Sequence, residues 1–167
     1  MLLTPLQLAL LTAEVASDGR PLRPHLVERV GRSGRFHPPR PAQPGLPADP
    51  SLWEAVHEGM ERAIAAGTGT AARVPGLRVA GKTGTAQNPH GQDHALFVCY
   101  APVEAPRVAA AFVVENAGHG GSIAAPRAGW MLRRIFLPDS LLRLATRAVE
   151  RDTARSAAPD TGSVHGD

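Results

Sequence analysis

The sequence predicts an α+β domain in which antiparallel strands are flanked by helices. Three apolar runs follow one another between residues 77 and 115 with links of only a few residues. Segments with apolar residues at three- and four-residue spacing stand before and after them. All of this falls within 167 residues, a length that calls for one core and not for two domains.

The first helix starts at Thr4-Pro5-Leu6-Gln7: Thr4 is placed to cap, Pro5 takes the first helical position, and Gln7 reaches back to complete a capping box. Leu6, Ala9, Leu10 and Ala13 then line one face, and Asp18-Gly19 ends the helix. His25 to Val30 reads as extended. Residues 31 to 50 hold too much proline and glycine for a regular element and predict a long loop. A second helix begins at Asp49-Pro50-Ser51 and runs to Ala66. Trp53, Val56, Met60 and Ile64 form its apolar face, with Glu54, Glu58, Glu61 and Arg62 mostly on the other. Gly67-Thr68-Gly69-Thr70 closes it.

Strands are expected over Leu77 to Gln87, His94 to Ala101 and Arg107 to Glu115, joined by Asn88-Pro89-His90-Gly91 and Pro102-Val103-Glu104-Ala105-Pro106. Links this short make an antiparallel meander. After Gly118 to Gly121, Ser122 to Phe136 reads as a helix with Pro126 near its start. The domain is thus expected over residues 1–137. Residues 138–155 are a candidate for one more helix, amphipathic from Leu141 to Arg155, and 156–167 have the composition of a disordered tail.

Composition excludes several classes. The formal charge is +3, and the basic residues are spread along the chain with few aromatics beside them, so nucleic acid is not an expected partner. No stretch approaches 18 uninterrupted apolar residues, and no membrane contact is expected from this chain. Met1 to Ala16 has no basic residue, and Pro5, Gln7 and Thr12 break its apolar run, so it reads as a helix of the fold and not as a signal peptide. Cys99 is the only cysteine and reads as a small buried hydrophobe within Phe97-Val98-Cys99-Tyr100. His90 and His94 would share a metal only on a helix, which Gly91 and its loop do not provide. No metal and no cofactor is expected.

Of 18 basic residues, 17 are arginine and the only lysine is Lys82. A composition that removes lysine elsewhere makes this one a candidate for chemistry, because its ammonium is compact and its pKa can move. Gly76-Leu77-Arg78-Val79-Ala80-Gly81-Lys82-Thr83 also satisfies the spacing of a phosphate-binding loop. That spacing has meaning only with a buried strand before the first glycine and a helix from Lys-Thr. Val74-Pro75 before it, and Gly84 and Asn88-Pro89 after it, argue against both, so nucleotide binding is the weaker alternative. As a strand, Lys82 and Gly84 point to one face and Thr83 and Thr85 to the other. Gly84 removes a side chain where a ligand backbone can approach, and an edge strand here would bind an extended peptide by strand addition, with the ammonium suited to a carboxylate. An ordinary surface strand with a glycine bulge fits the same spacing.

Ala80-Gly81-Lys82-Thr83-Gly84-Thr85-Ala86-Gln87 resembles the Lys-Thr-Gly box of the penicillin-binding transpeptidases. Its flanks resemble the class B, elongation-type members: Thr4-Pro5-Leu6-Gln7-Leu8-Ala9, Arg23-Pro24-His25-Leu26-Val27, Gly69-Thr70-Ala71, His94-Ala95-Leu96-Phe97-Val98, Tyr100-Ala101-Pro102 and Gly118-His119-Gly120-Gly121-Ser122 follow in the family's order. The resemblance covers about residues 1–137 and implies the C-terminal part of a penicillin-binding transpeptidase or serine β-lactamase-like fold. It implies that Lys82 attracts the terminal carboxylate of a peptidoglycan stem peptide or a β-lactam, and that Thr83 holds a proton and hydrogen-bond network. Gly84 would let the substrate lie close, and the Thr85 backbone N–H would form half of an oxyanion hole. It further implies a place on the extracytoplasmic (periplasmic) face of the inner membrane.

The family's acyl transfer needs a Ser-x-x-Lys nucleophile and a Ser-x-Asn motif. The residue three before the single lysine is Val79, and none of the seven serines has Asn two residues later. The chain is therefore expected to carry the substrate wall without the nucleophile and to be inactive alone, with the missing N-terminal half of the domain as a partner. The alternative is a non-catalytic binding or structural remnant. His119-Gly120-Gly121 with Ser122 also resembles an esterase oxyanion loop. No Gly-x-Ser-x-Gly elbow accompanies it, and it reads more simply as a turn and helix cap.

Overall fold

A computed structural model of the chain describes residues 3–27, 45 and 47–138. In chain order the elements are α1 (Pro5–Val15), α2 (Pro50–Ala65), a single 3-10 turn (Thr70–Ala72), β1 (Ala80–Ala86), β2 (His94–Ala101), β3 (Val108–Val114) and α3 (Gly120–Phe136). The strands form one antiparallel sheet in the order β1-β2-β3, so the chain has the expected α+β class. It divides after Leu132 into two compact units. Most of the expected long loop, the candidate helix over 138–155 beyond its first residue, and the tail over 156–167 lie outside the described residues.

α1 forms because its first turn satisfies its own orphan amides. The Gln7 amide donates to Thr4 Oγ1 at 3.2 Å while the Thr4 amide donates to Gln7 Oε1 at 2.8 Å, and Pro5 needs no partner. The helix packs against β3 and β2. Its inward face differs from the expected one: Thr12 is buried and Leu6 is 58% exposed. A polar residue can lie inward because the Thr12 hydroxyl donates to the Leu8 carbonyl at 2.7 Å, leaving nothing unsatisfied. Leu6 and Leu11 stay exposed, as does Leu3 just before the helix, so α1 also carries apolar side chains that no described residue covers.

α2 is capped by Asp49, which accepts the Ser51 amide at 2.9 Å. It packs against β1. One expectation needs correction: Val56, expected on the apolar face, is exposed, while Glu61 is half-buried. Glu61 meets Arg78, just before β1, whose Nε and Nη2 donate to its two carboxylate oxygens at 2.6 and 2.7 Å while Nη1 donates to Glu104 at 2.9 Å. A planar guanidinium fits a carboxylate as a fork, and it holds the Glu61 carboxyl below its ordinary range. One turn earlier, His57 Nε2 donates to Asp18 at 2.9 Å, and its Nδ1 is hydrogen-bonded to the Tyr100 hydroxyl at 2.5 Å.

β2 is the centre of the core: Ala95, Phe97, Cys99, Tyr100 and Ala101 are all buried. Cys99 is the buried hydrophobe expected, and burial pushes its thiol pKa up to about 12. The β2–β3 link begins with a cis Ala101-Pro102 bond. β3 lies at the sheet's other edge from β1, half-buried at every position. α3 contributes Ala124, Ala125, Ala128 and Leu132 to the core. Small residues permit close approach: a Cβ on Gly129 would stand 3.0 Å from the Ala71 carbonyl oxygen and the Ala72 Cα.

Candidate functional site

The β1–β2 register pairs Lys82 with Val98 and Gly84 with Leu96, and Thr83 with Phe97 and Thr85 with Ala95. Lys82 and Gly84 therefore share one face and the two threonines the other, as the strand alternation requires. A cavity of about 510 Å³ is lined by Thr68, Thr83, Gly84, Thr85, His119, Gly120, Gly121 and Ser122. Three of the four residues singled out from the sequence line it. Lys82 does not: its exposed ammonium donates to the Thr83 carbonyl at 2.8 Å. β1 has β2 on one side and, among the described residues, no strand on the other.

The second wall is the start of α3, and it is built around glycine. A Cβ on Gly120 would overlap the carbonyl oxygens of Leu96 and Gly84, and one on Gly121 would come within 2.6 Å of the Thr68 carbonyl oxygen. α3 thus begins directly against the backbones of β1 and β2. The turn before it is fixed to the β1–β2 hairpin. The Ala117 and Gly118 amides donate to the Asp93 carbonyl at 3.0 and 2.8 Å, and the Asn88 side-chain amide donates to Asn116 Oδ1 at 2.6 Å. Asn116 and Gly118 take positive φ of 51° and 88°, conformations that Asn and Gly adopt most readily.

The third wall is the α2–β1 link. The Gly69 amide closes the end of α2 on the Ala63 carbonyl at 2.9 Å, and Thr68 Oγ1 stands 2.7 Å from Thr83 Oγ1. No local pattern places Thr68 in the site, since along the chain it is only part of a helix stop.

Gly81, inside the motif, is fixed by packing: a Cβ there would meet Phe97 Cζ and the Val98 carbonyl oxygen at 2.8 Å. Gly84 is not: a Cβ there would meet only Leu96 Cβ, at 3.3 Å.

Lys82-Thr83 lie in mid-strand, and no helix starts there to hold a phosphate. His119-Gly120-Gly121 opens α3, and Ser122 Oγ donates to the His119 carbonyl at 3.2 Å, a contact that activates no nucleophile. His94 Nδ1 accepts the Asn116 amide at 3.0 Å, and among the described residues no three His, Cys, Asp or Glu side chains gather as ligands. Among those residues, no helix is long and apolar enough to cross a membrane.

The family model of the penicillin binding protein transpeptidase domain matches residues 1–135. Peptidoglycan D,D-transpeptidase MrdA of Acinetobacter baumannii is 36% identical over 139 residues, which cover 72% of this chain and 20% of that protein. Peptidoglycan D,D-transpeptidase PbpA of Mycolicibacterium smegmatis is 34% identical over 137 residues, covering 74% and 27%. Among solved structures, Pseudomonas aeruginosa PBP2 in complex with WCK 5153 aligns with a TM-score of 0.71 at 36% identity, over 83% of this chain and 30% of that one. The imipenem acyl-enzyme of penicillin-binding protein A from M. tuberculosis aligns with a TM-score of 0.65 at 29% identity, over 80% and 31%. The chain spans between 20% and 27% of the curated relatives it matches first. It belongs to the penicillin-binding protein transpeptidase family, with the class B proteins MrdA and PbpA as its relatives.

Proposed function

We propose that Lys82, Thr83, Gly84 and Thr85 form the substrate wall of a peptidoglycan D,D-transpeptidase, and that this chain supplies that wall without the nucleophile. The observation that carries the reading is the placement of Thr83, Gly84 and Thr85 along a cavity on a strand whose outer edge has, among the described residues, no partner strand. An extended stem peptide, or a β-lactam resembling its end, would lie along that edge. Gly84 fits this reading because the fold itself makes no strong demand for glycine there, whereas it does at Gly81 and Gly120. Lys82 stands beside the cavity with its ammonium on the neighbouring Thr83 carbonyl, a contact it can exchange for a substrate carboxylate. The Thr83 hydroxyl would donate to the same carboxylate, and the Thr85 amide would meet the oxyanion.

Acyl transfer through a serine ester requires a serine activated by a base, and no Ser-x-x-Lys or Ser-x-Asn occurs in the chain. The remainder of the domain is the partner this reading requires, on the extracytoplasmic side of the membrane where peptidoglycan lies. The exposed Leu6 and Leu11 of α1, with Leu3 just before it, support such a partner, since a helix apolar on both sides is normally covered on both. The test is labelling with a fluorescent penicillin. The purified chain alone stays unlabelled, and the chain joined to a segment carrying both missing motifs is labelled covalently. A covalent adduct at the cavity of the isolated chain would overturn the proposal.

A further inference from the structure

Thr83 is tied to the neighbouring loop by its hydroxyl. Its Oγ1 stands 2.7 Å from Thr68 Oγ1, and both residues line the cavity. Thr68 is held in place from two directions. Gly69 closes the end of α2, where even a Cβ would come within 2.7 Å of Ile64 Cδ1, and Gly121 of α3 packs against the Thr68 carbonyl. The loop therefore cannot retreat from the strand without moving α2 or α3.

We infer that Thr68 is a positioning residue of the site: its hydroxyl fixes the side-chain rotamer of Thr83 and directs the Thr83 proton into the cavity. The proton directions follow from chemistry. A carboxylate accepts hydrogen bonds and donates none, so Thr83 must donate to it, and Thr68 must then donate to the Thr83 oxygen. The two bonds form a short chain, Thr68 O–H to Thr83 Oγ1 and Thr83 O–H to the ligand, in which each polarises the next. The ligand end of this chain rests on the carboxylate reading of the site proposed above. The rotamer end does not.

Two measurements on the whole protein separate these ends. The first is the χ1 rotamer of Thr83 from three-bond NMR couplings in the wild type, Thr68→Val and Thr68→Ser. One rotamer is expected in the wild type and the Ser variant, and rotamer averaging in the Val variant. The second is titration with N-acetyl-D-alanyl-D-alanine. Affinity is expected to fall about fivefold in Thr68→Val and to recover to within about twofold in Thr68→Ser, with melting temperatures unchanged. A Thr83 rotamer that stays single in Thr68→Val, or affinity equal to wild type in that variant, overturns the role of Thr68. Rotamer averaging in Thr68→Val with no binding by any of the three proteins upholds Thr68 as the positioning residue and refutes the carboxylate reading.

Discussion

Replacing Gly120 by alanine should destabilise the protein far more than the same change at Gly84, although the two backbones touch. At Gly120 the new methyl would overlap two carbonyl oxygens, those of Leu96 and Gly84, and would stand 3.1 Å from the Gly84 nitrogen. All three are main-chain atoms inside a paired ladder, so no side chain can rotate to make room. α3 must lift or the hairpin must bend. Overpacking of this kind costs about 1–3 kcal/mol, and the rigid neighbours put Gly120→Ala at the upper end. An unfolding entropy of about 2 cal/mol/K per residue, over a unit that ends at Leu132, converts 3 kcal/mol to a loss on the order of 10 °C in melting temperature. At Gly84 the methyl meets a single side-chain carbon at 3.3 Å, a contact relieved by a few tenths of an ångström, and the expected loss is about 2 °C. Thermal unfolding followed by circular dichroism compares the two directly. Equal melting temperatures for the two variants would refute the claim that Gly120 serves packing and Gly84 does not.

Two further outcomes follow from the charged and buried groups. Glu61→Gln should lower the melting temperature at pH 7 on the order of 2 °C, because the Arg78 fork loses its charged partner. The folded-state carboxyl lies below its ordinary 4.5, so this stabilisation is present above that value and disappears as pH falls through the folded-state pKa. Melting curves of wild type and variant should therefore converge in acid, and a gap that persists well below pH 4 would count against the ion pair as its source. Cys99, with its thiol pushed up to about 12 and no exposed surface, should resist a thiol-directed reagent at pH 8 and react at once in denaturant. Reaction in the native state at a comparable rate would mean that β2 is not the core of the sheet.

Local chemistry was readable from the sequence where neighbours in the chain are partners in the fold. Thr4 and Gln7 close their capping box within one turn, and the three strands pair in chain order because their links are too short for anything else. The alternation that separates Lys82 from Thr83 follows from strand geometry alone. What escaped depends on distant partners. Glu61 stands among the charged residues of α2 by helical spacing, and its ion pair depends on Arg78, 17 residues later. The face of α1 could not be read from spacing because leucines occupy both sides, and Thr12 hides its polarity in a bond to its own helix. Thr68 joins the cavity, and Lys82 is left beside it, through the path of three separate segments that no local pattern encodes.

The hairpin turn carries a consequence for how this site can vary between proteins. Asn88, Asp93 and Asn116 are absent from the cavity lining, yet their bonds decide where α3 begins and hence how far its first residues stand from β1. The gap between the walls is in this sense set from outside the cavity, by a hairpin connection and the turn that answers it. Changes in those turns would retune the opening while every residue facing a ligand stayed the same. Comparing relatives only at the positions that line the cavity would miss that adjustment.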